Sequence, residues 1–155
     1  MILPRMGRPT NLLLTALGAL AVVVATAACG TQNVHIPKTD PTFAADYQAA
    51  HLFHERCAGC HTLSYAATNG SASNVRTAEA INGPNFNVRC ERPVQRVLYA
   101  IENGGFSGAY MPANIFVGAQ AREVAMFVAR FSGRQAPREP LTVPCQFQPI
   151  GTLPP

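Results

Sequence analysis

Cys57-Ala58-Gly59-Cys60-His61 sets two thiols three positions apart, with an imidazole directly behind the second. Thiols at that separation can each add to a vinyl group on the same edge of a porphyrin. The next residue then falls beneath the ring centre, where His61 can ligate iron. Small side chains at 58 and 59 let the backbone pass close to the ring. This is the C-x-x-C-H pattern of covalent haem attachment. Composition alone would place it in a chain of 155 residues about 0.004 times. A zinc site would need a second ligand pair, and Cys90 and Cys145 are single and far apart. A thioredoxin-like redox pair belongs to a βαβ context, and no strand alternation flanks the motif.

Iron in an electron carrier usually takes a second axial ligand. Gly108-Ala109-Tyr110-Met111-Pro112 offers a Met on a loop that glycine lets approach the ring and proline holds in path. Its thioether is a soft donor that favours Fe(II) and raises the reduction potential. The bland alternative is that Met111 merely packs. Met126, on the predicted last helix, is the better core filler. His35 belongs to the expected tether. His51 and His54 lie on the helix before the motif, as surface residues or hydrogen-bonded partners. No Ser/His/Asp or paired-carboxylate constellation accompanies these residues, so an independent enzyme is not expected.

Three helices should position these groups. The first starts near Asp40-Pro41-Thr42, with proline in its first turn, carries Phe43, Tyr47, Ala50 and Phe53 or His54 as an apolar stripe, and runs into the motif. The second runs from Pro93 to about Glu102. Its stripe is Val94, Val97, Leu98 and Ile101, and Asn103-Gly104-Gly105 stops it. The third runs from about Gln120 to Phe131, with Val124, Phe127, Val128 and Phe131 on one side. Gly133 ends it and Pro137 prevents continuation. Residues 62–83 read as a loop with one helical turn near Arg76–Ile81. From Gln135 onward six prolines forbid a long helix, and Leu141, Val143 and Phe147 are expected to pin this tail to the domain.

The amino terminus reads as a processing segment. Arg5 and Arg8 precede an apolar run from Leu12 to Ala28, which ends in small residues before Cys29. Thr26-Ala27-Ala28-Cys29 resembles a bacterial lipoprotein cleavage box, though that family usually has Leu where Thr26 stands. The resemblance implies a signal peptide over 1–28, a lipid on Cys29 and a polar tether over 29–41. Plain signal cleavage and an uncleaved anchor helix remain alternatives; the run is short against the ~20 residues of a membrane span. Each places the domain outside the cytoplasm. Without Arg5 and Arg8, 10 basic side chains face 8 acidic ones. No dense cationic cluster marks nucleic acid as a partner.

From about Thr42 to Gly133 the chain resembles a class I cytochrome c. The features are Phe53 four residues before Cys57, the Cys57–His61 motif, Gly83-Pro84-Asn85-Phe86, the Pro93–Asn103 helix leading to Met111-Pro112, Phe127 in the last helix, and the small Ala49 where first and last helices would cross. The resemblance implies an all-α, loop-rich fold of three to four helices around one covalent haem c. A domain over 42–134 would be followed by a Pro-rich tail, 135–155. It also implies that the Pro84 carbonyl accepts a hydrogen bond from the ring of His61, fixing the proximal ligand.

With Cys29 given to lipid and Cys57 and Cys60 to haem, Cys90 and Cys145 remain. An oxidising compartment would pair them; two separate thiols are the alternative. The implied function is one-electron transfer at the outer face of the cytoplasmic membrane or in the periplasm, between redox partner proteins. The alternatives are a haem subunit of a larger oxidase or dehydrogenase, and a gas-binding sensor in which Met111 is labile.

Overall fold

The computed structural model describes residues 33–70, 83–106 and 111–154. The expectations for residues 1–28, Cys29, Arg76–Ile81 and Gly108–Tyr110 lie outside the described residues. Among the described residues no helix is long and apolar enough to cross a membrane.

Among the described residues three α-helices carry the domain: α1 over Phe43–Cys57, α2 over Val94–Asn103 and α3 over Gly118–Phe131. The protein is mostly helical, with one small departure from all-α. Thr62–Leu63 (β1) and Thr68–Asn69 (β2) form a two-stranded antiparallel sheet in register Thr62 to Asn69 and Leu63 to Thr68. A single 3₁₀ turn, Ser64–Ala66, joins them. The first part of the expected 62–83 loop is therefore ordered pairing. Thr68 Oγ1 accepts the Leu63 N–H at 2.8 Å, and the His54 ring Nδ1 lies 2.8 Å from the Ala66 carbonyl. These two bonds fasten the hairpin to itself and to α1.

The helix entries differ from expectation by a residue or two. Pro41 precedes α1 rather than sitting in its first turn, and Thr42 is the cap residue. The Asp40 carboxylate accepts both the Thr42 N–H, at 2.9 Å, and the Thr42 hydroxyl, at 2.7 Å. These bonds hold the Asp40 carboxyl below its ordinary range. Helix α2 begins after Pro93, whose fixed φ and missing N–H suit the boundary. It ends at Gly104, whose φ of +82° returns its N–H to the Ala100 carbonyl.

The core lies between α1, α2 and α3. Helix α2 buries Val94, Val97, Leu98 and Ile101, as its periodicity requires, and α3 buries Val124, Phe127, Val128 and Phe131. Helix α1 packs on α3, and the small Ala49, Ala50, Ala121, Ala125 and Ala129 are all buried in the shared core. The expected α1 stripe is displaced: Tyr47 is exposed, and the buried face is Asp46, Ala49, Ala50, Phe53 and Cys57. Asp46 takes its inward place because Arg130 of α3 meets it.

The tail is pinned by other residues than those expected. Leu141, Val143 and Phe147 are exposed, while Ile150 and Leu153 pack on the core. A disulfide joins Cys90 to Cys145. The Val94 N–H donates to the Ile150 carbonyl at 2.7 Å, and the Arg92 guanidinium donates to the Gln148 carbonyl. Residues 33–41, expected as part of a polar tether, belong to the domain. Ile36 is buried, Val34 packs beside it, and the His35 N–H donates to the Tyr65 carbonyl at 3.0 Å.

Candidate functional site

The motif sits where α1 ends. The N–H groups of Cys60 and His61 both donate to the Cys57 carbonyl, at 3.1 and 2.9 Å, which turns the chain sharply after the helix. Residues 83–86 then run alongside 60–62. Gly83 N–H donates to the Cys60 carbonyl at 2.7 Å, Phe86 N–H donates to the Thr62 carbonyl at 2.8 Å, and Thr62 and Asn85 form a parallel bridge. The Asn87 side chain locks this strip to the hairpin, accepting the Ser64 N–H at 2.8 Å and donating to the Ser64 hydroxyl at 2.7 Å.

That alignment fixes the imidazole of His61. Its Nδ1 lies 3.2 Å from the Pro84 carbonyl oxygen. A carbonyl can only accept, so Nδ1 carries the proton and Nε2 keeps its lone pair, the form needed for metal ligation. Phe86 stacks on the same ring, with centroids 4.6 Å apart and planes 11° apart. Gly83 closes the third side. A Cβ there would stand 2.3 Å from Cε1 and 2.5 Å from Nδ1 of His61. Burial pushes the His61 pKa below its ordinary value and the Arg89 charge pushes the same way, against the Pro84 bond. The ring is thus held neutral.

His61 opens onto an apolar cleft that also gathers Cys57, Cys60, Pro84 and Met111. Phe53 of α1, Val97 and Ile101 of α2, and Val124 and Val128 of α3 supply its greasy walls. The cleft takes in about 1110 Å³ of space with its open mouth included. Cys57 is buried and Cys60 exposed. Burial, and then the neighbouring Cys60, push the Cys57 thiol up to about 12. A thiol so disposed is a poor nucleophile, unlike the electropositive, low-pKa setting of catalytic cysteines.

The cleft residues fit a covalent porphyrin. Two thiols lie at one stretch of its wall, a neutral imidazole is braced by a carbonyl, and a thioether lines the same space. Among the described residues no cluster of three or more His, Cys, Asp or Glu is placed to hold a bare metal ion. A porphyrin asks less of the protein, since the ring nitrogens fill four iron positions and the chain supplies two. Met126, expected as a core filler, is half-buried against the core.

Three contributors were not read from the sequence. Phe86 was noted only as part of a segment, and its stacking on His61 has no sequence signature. Arg89 and Glu91 line the cleft as a pair. An Arg two residues before a Glu is common on any surface and gives no sign that it borders a site.

No family model, curated protein or solved structure matches this chain.

Proposed function

We propose that this chain is a monohaem c-type cytochrome of the class I kind, a one-electron carrier exported from the cytoplasm and held, at the outer face of the cytoplasmic membrane or in the periplasm, by a lipid on Cys29. The observation that carries the reading is the convergence of Cys57, Cys60, His61 and Met111, from separate stretches of chain, on one apolar cleft. The Cys90–Cys145 disulfide supports an oxidising compartment.

When bound, the haem supplies an iron that passes between Fe(III) and Fe(II) by gain or loss of one electron. Cys57 and Cys60 are the attachment thiols and hold the ring against loss. His61 presents Nε2 as the proximal ligand, and the Pro84 carbonyl keeps its other nitrogen protonated and its ring oriented. Met111, on the same cleft, would supply the second iron ligand, a soft sulfur that favours the reduced state. Phe53, Val97, Ile101, Val124 and Val128 exclude water, so few solvent dipoles must turn when charge changes.

The test is a pair of optical spectra, oxidised and reduced, on protein matured in a host able to attach haem, with mass spectrometry of the same sample. Covalent porphyrin mass and a weak far-red band in the oxidised form are expected, and Met111→Ala should abolish the band while leaving the mass. Colourless protein of unmodified mass would end the reading.

A further inference from the structure

The lining of the cleft is largely apolar except for Arg56 near the end of α1 and for one charged wall. There Glu91 is buried, its side chain only 8% exposed, and two arginines meet its carboxylate. Arg89 Nε lies 2.6 Å from one oxygen and Arg96 Nε 3.4 Å from the other. The Glu91 N–H donates to Ser132 Oγ at 3.0 Å, which anchors this point of the wall to the end of α3. Arg96 leans away from Glu91 onto the cleft-lining Phe106, its guanidinium 4.2 Å from the ring centroid. Arg89 itself borders the cleft.

One buried carboxylate between two guanidiniums leaves the wall with a net charge of +1. Both arginines spend Nε on Glu91, so neither can swing freely. A cation fixed beside a low-dielectric cavity is screened far less than one waving in solvent.

We infer that Arg89 is the residue by which this protein sets the ease of reduction of its haem, and that Glu91 is the positioning residue that holds it at the cleft wall. The inference rests on the haem reading above. The argument is one of sign. Reduction lowers the positive charge on iron by one unit, so a fixed cation nearby favours the reduced state and a fixed anion opposes it. Arg89 and Glu91 therefore pull the potential in opposite directions, although they are one ion pair.

The experiment measures the reduction potential of the full-length, haem-loaded protein and of four variants by spectroelectrochemistry. Arg89→Gln should lower the potential, and Glu91→Gln, which removes the charge but keeps an oxygen that can accept from Arg89, should raise it. Arg138→Gln removes the same charge from an exposed site that does not line the cleft, and should leave the potential where it was. Arg89 is half exposed, so its substitution should not prevent folding; Arg89→Lys, which keeps the charge, should restore most of the lost potential. A purely structural role would open the cleft to water in both cleft variants and move them the same way. Movement of both in one direction, no movement in Arg89→Gln, or an equal shift in Arg138→Gln would each overturn the inference while leaving the haem reading intact. A wild-type chain that carries no haem would sink both together.

Discussion

Nη1 of Arg130 lies 2.7 and 2.9 Å from the two carboxylate oxygens of Asp46, joining α3 to α1 across the core. Asp46 is only 2% exposed, and the Thr42 hydroxyl oxygen lies 2.5 Å from its Oδ2. Such a pair adds little net stability over a well-packed apolar pair, but breaking it strands a buried charge. Arg130→Met alone should therefore destabilise the protein by about 3 kcal/mol, with Asp46→Leu and Arg130→Met together recovering most of the loss. Urea unfolding of the two variants against wild type measures this. A double variant no better than the single one would show that the pair is worth more than its volume in hydrocarbon.

Gly83 and Gly59 make a matched pair of glycines at the site. A Cβ on Gly83 would collide with the His61 ring, whereas nothing lies within 4 Å of one on Gly59. Gly83→Ala should displace the imidazole, cost about 1–3 kcal/mol as an overpacked site, and weaken the low-spin optical spectrum. Gly59→Ala should stay within about 0.5 kcal/mol and keep the spectrum. Equal behaviour of the two would mean that the His61 ring is not boxed in as described.

On the proposed haem reading, the Cys57 thiol ties alkaline stability to attachment. In a chain without porphyrin, the unfolded thiol releases its proton near its ordinary value of 9.0, while the folded one holds it to about 12. The folded state then binds more protons than the unfolded state between those values, so stability falls as pH rises through them. By pH 11 the loss should be on the order of 2–3 kcal/mol. Cys57→Ala should flatten this alkaline limb. The haem-loaded protein should lack it, because a thioether has no proton to lose. Denaturant midpoints between pH 8 and pH 11 for the three forms provide the check.

The parts legible in the sequence are those written in local spacing. The Val94–Ile101 stripe declared the buried face of α2, and Gly104 its end, because helical period and a left-handed cap are properties of adjacent residues. The Cys57–His61 motif is legible for the same reason. Helix α1 is harder. Tyr47 fits an apolar period but is exposed, and Asp46 breaks the period but is buried, since Arg130 lies 84 residues away along the chain. Strands of two residues, such as β1 and β2, are too short to show alternation. The tail misled because Leu141 is as apolar as Leu153, and only the path of the chain decides which one meets the core. Phe86 beside His61, and Arg89 beside the cleft, belong to that second class of fact: their neighbours are set by tertiary placement rather than by sequence separation.

The bond between Cys90 and Cys145 closes a circuit that contains α2, Met111 and α3, and it brings the exposed stretch around Leu141 inside the same ring. A protease that clips the backbone near Leu141 would find every fragment still tethered to its neighbour. On a gel run without reductant the clipped protein should migrate as one species, and with reductant as two. Damage at the outer rim of the molecule would thus leave the severed tail joined to the body that holds the cleft.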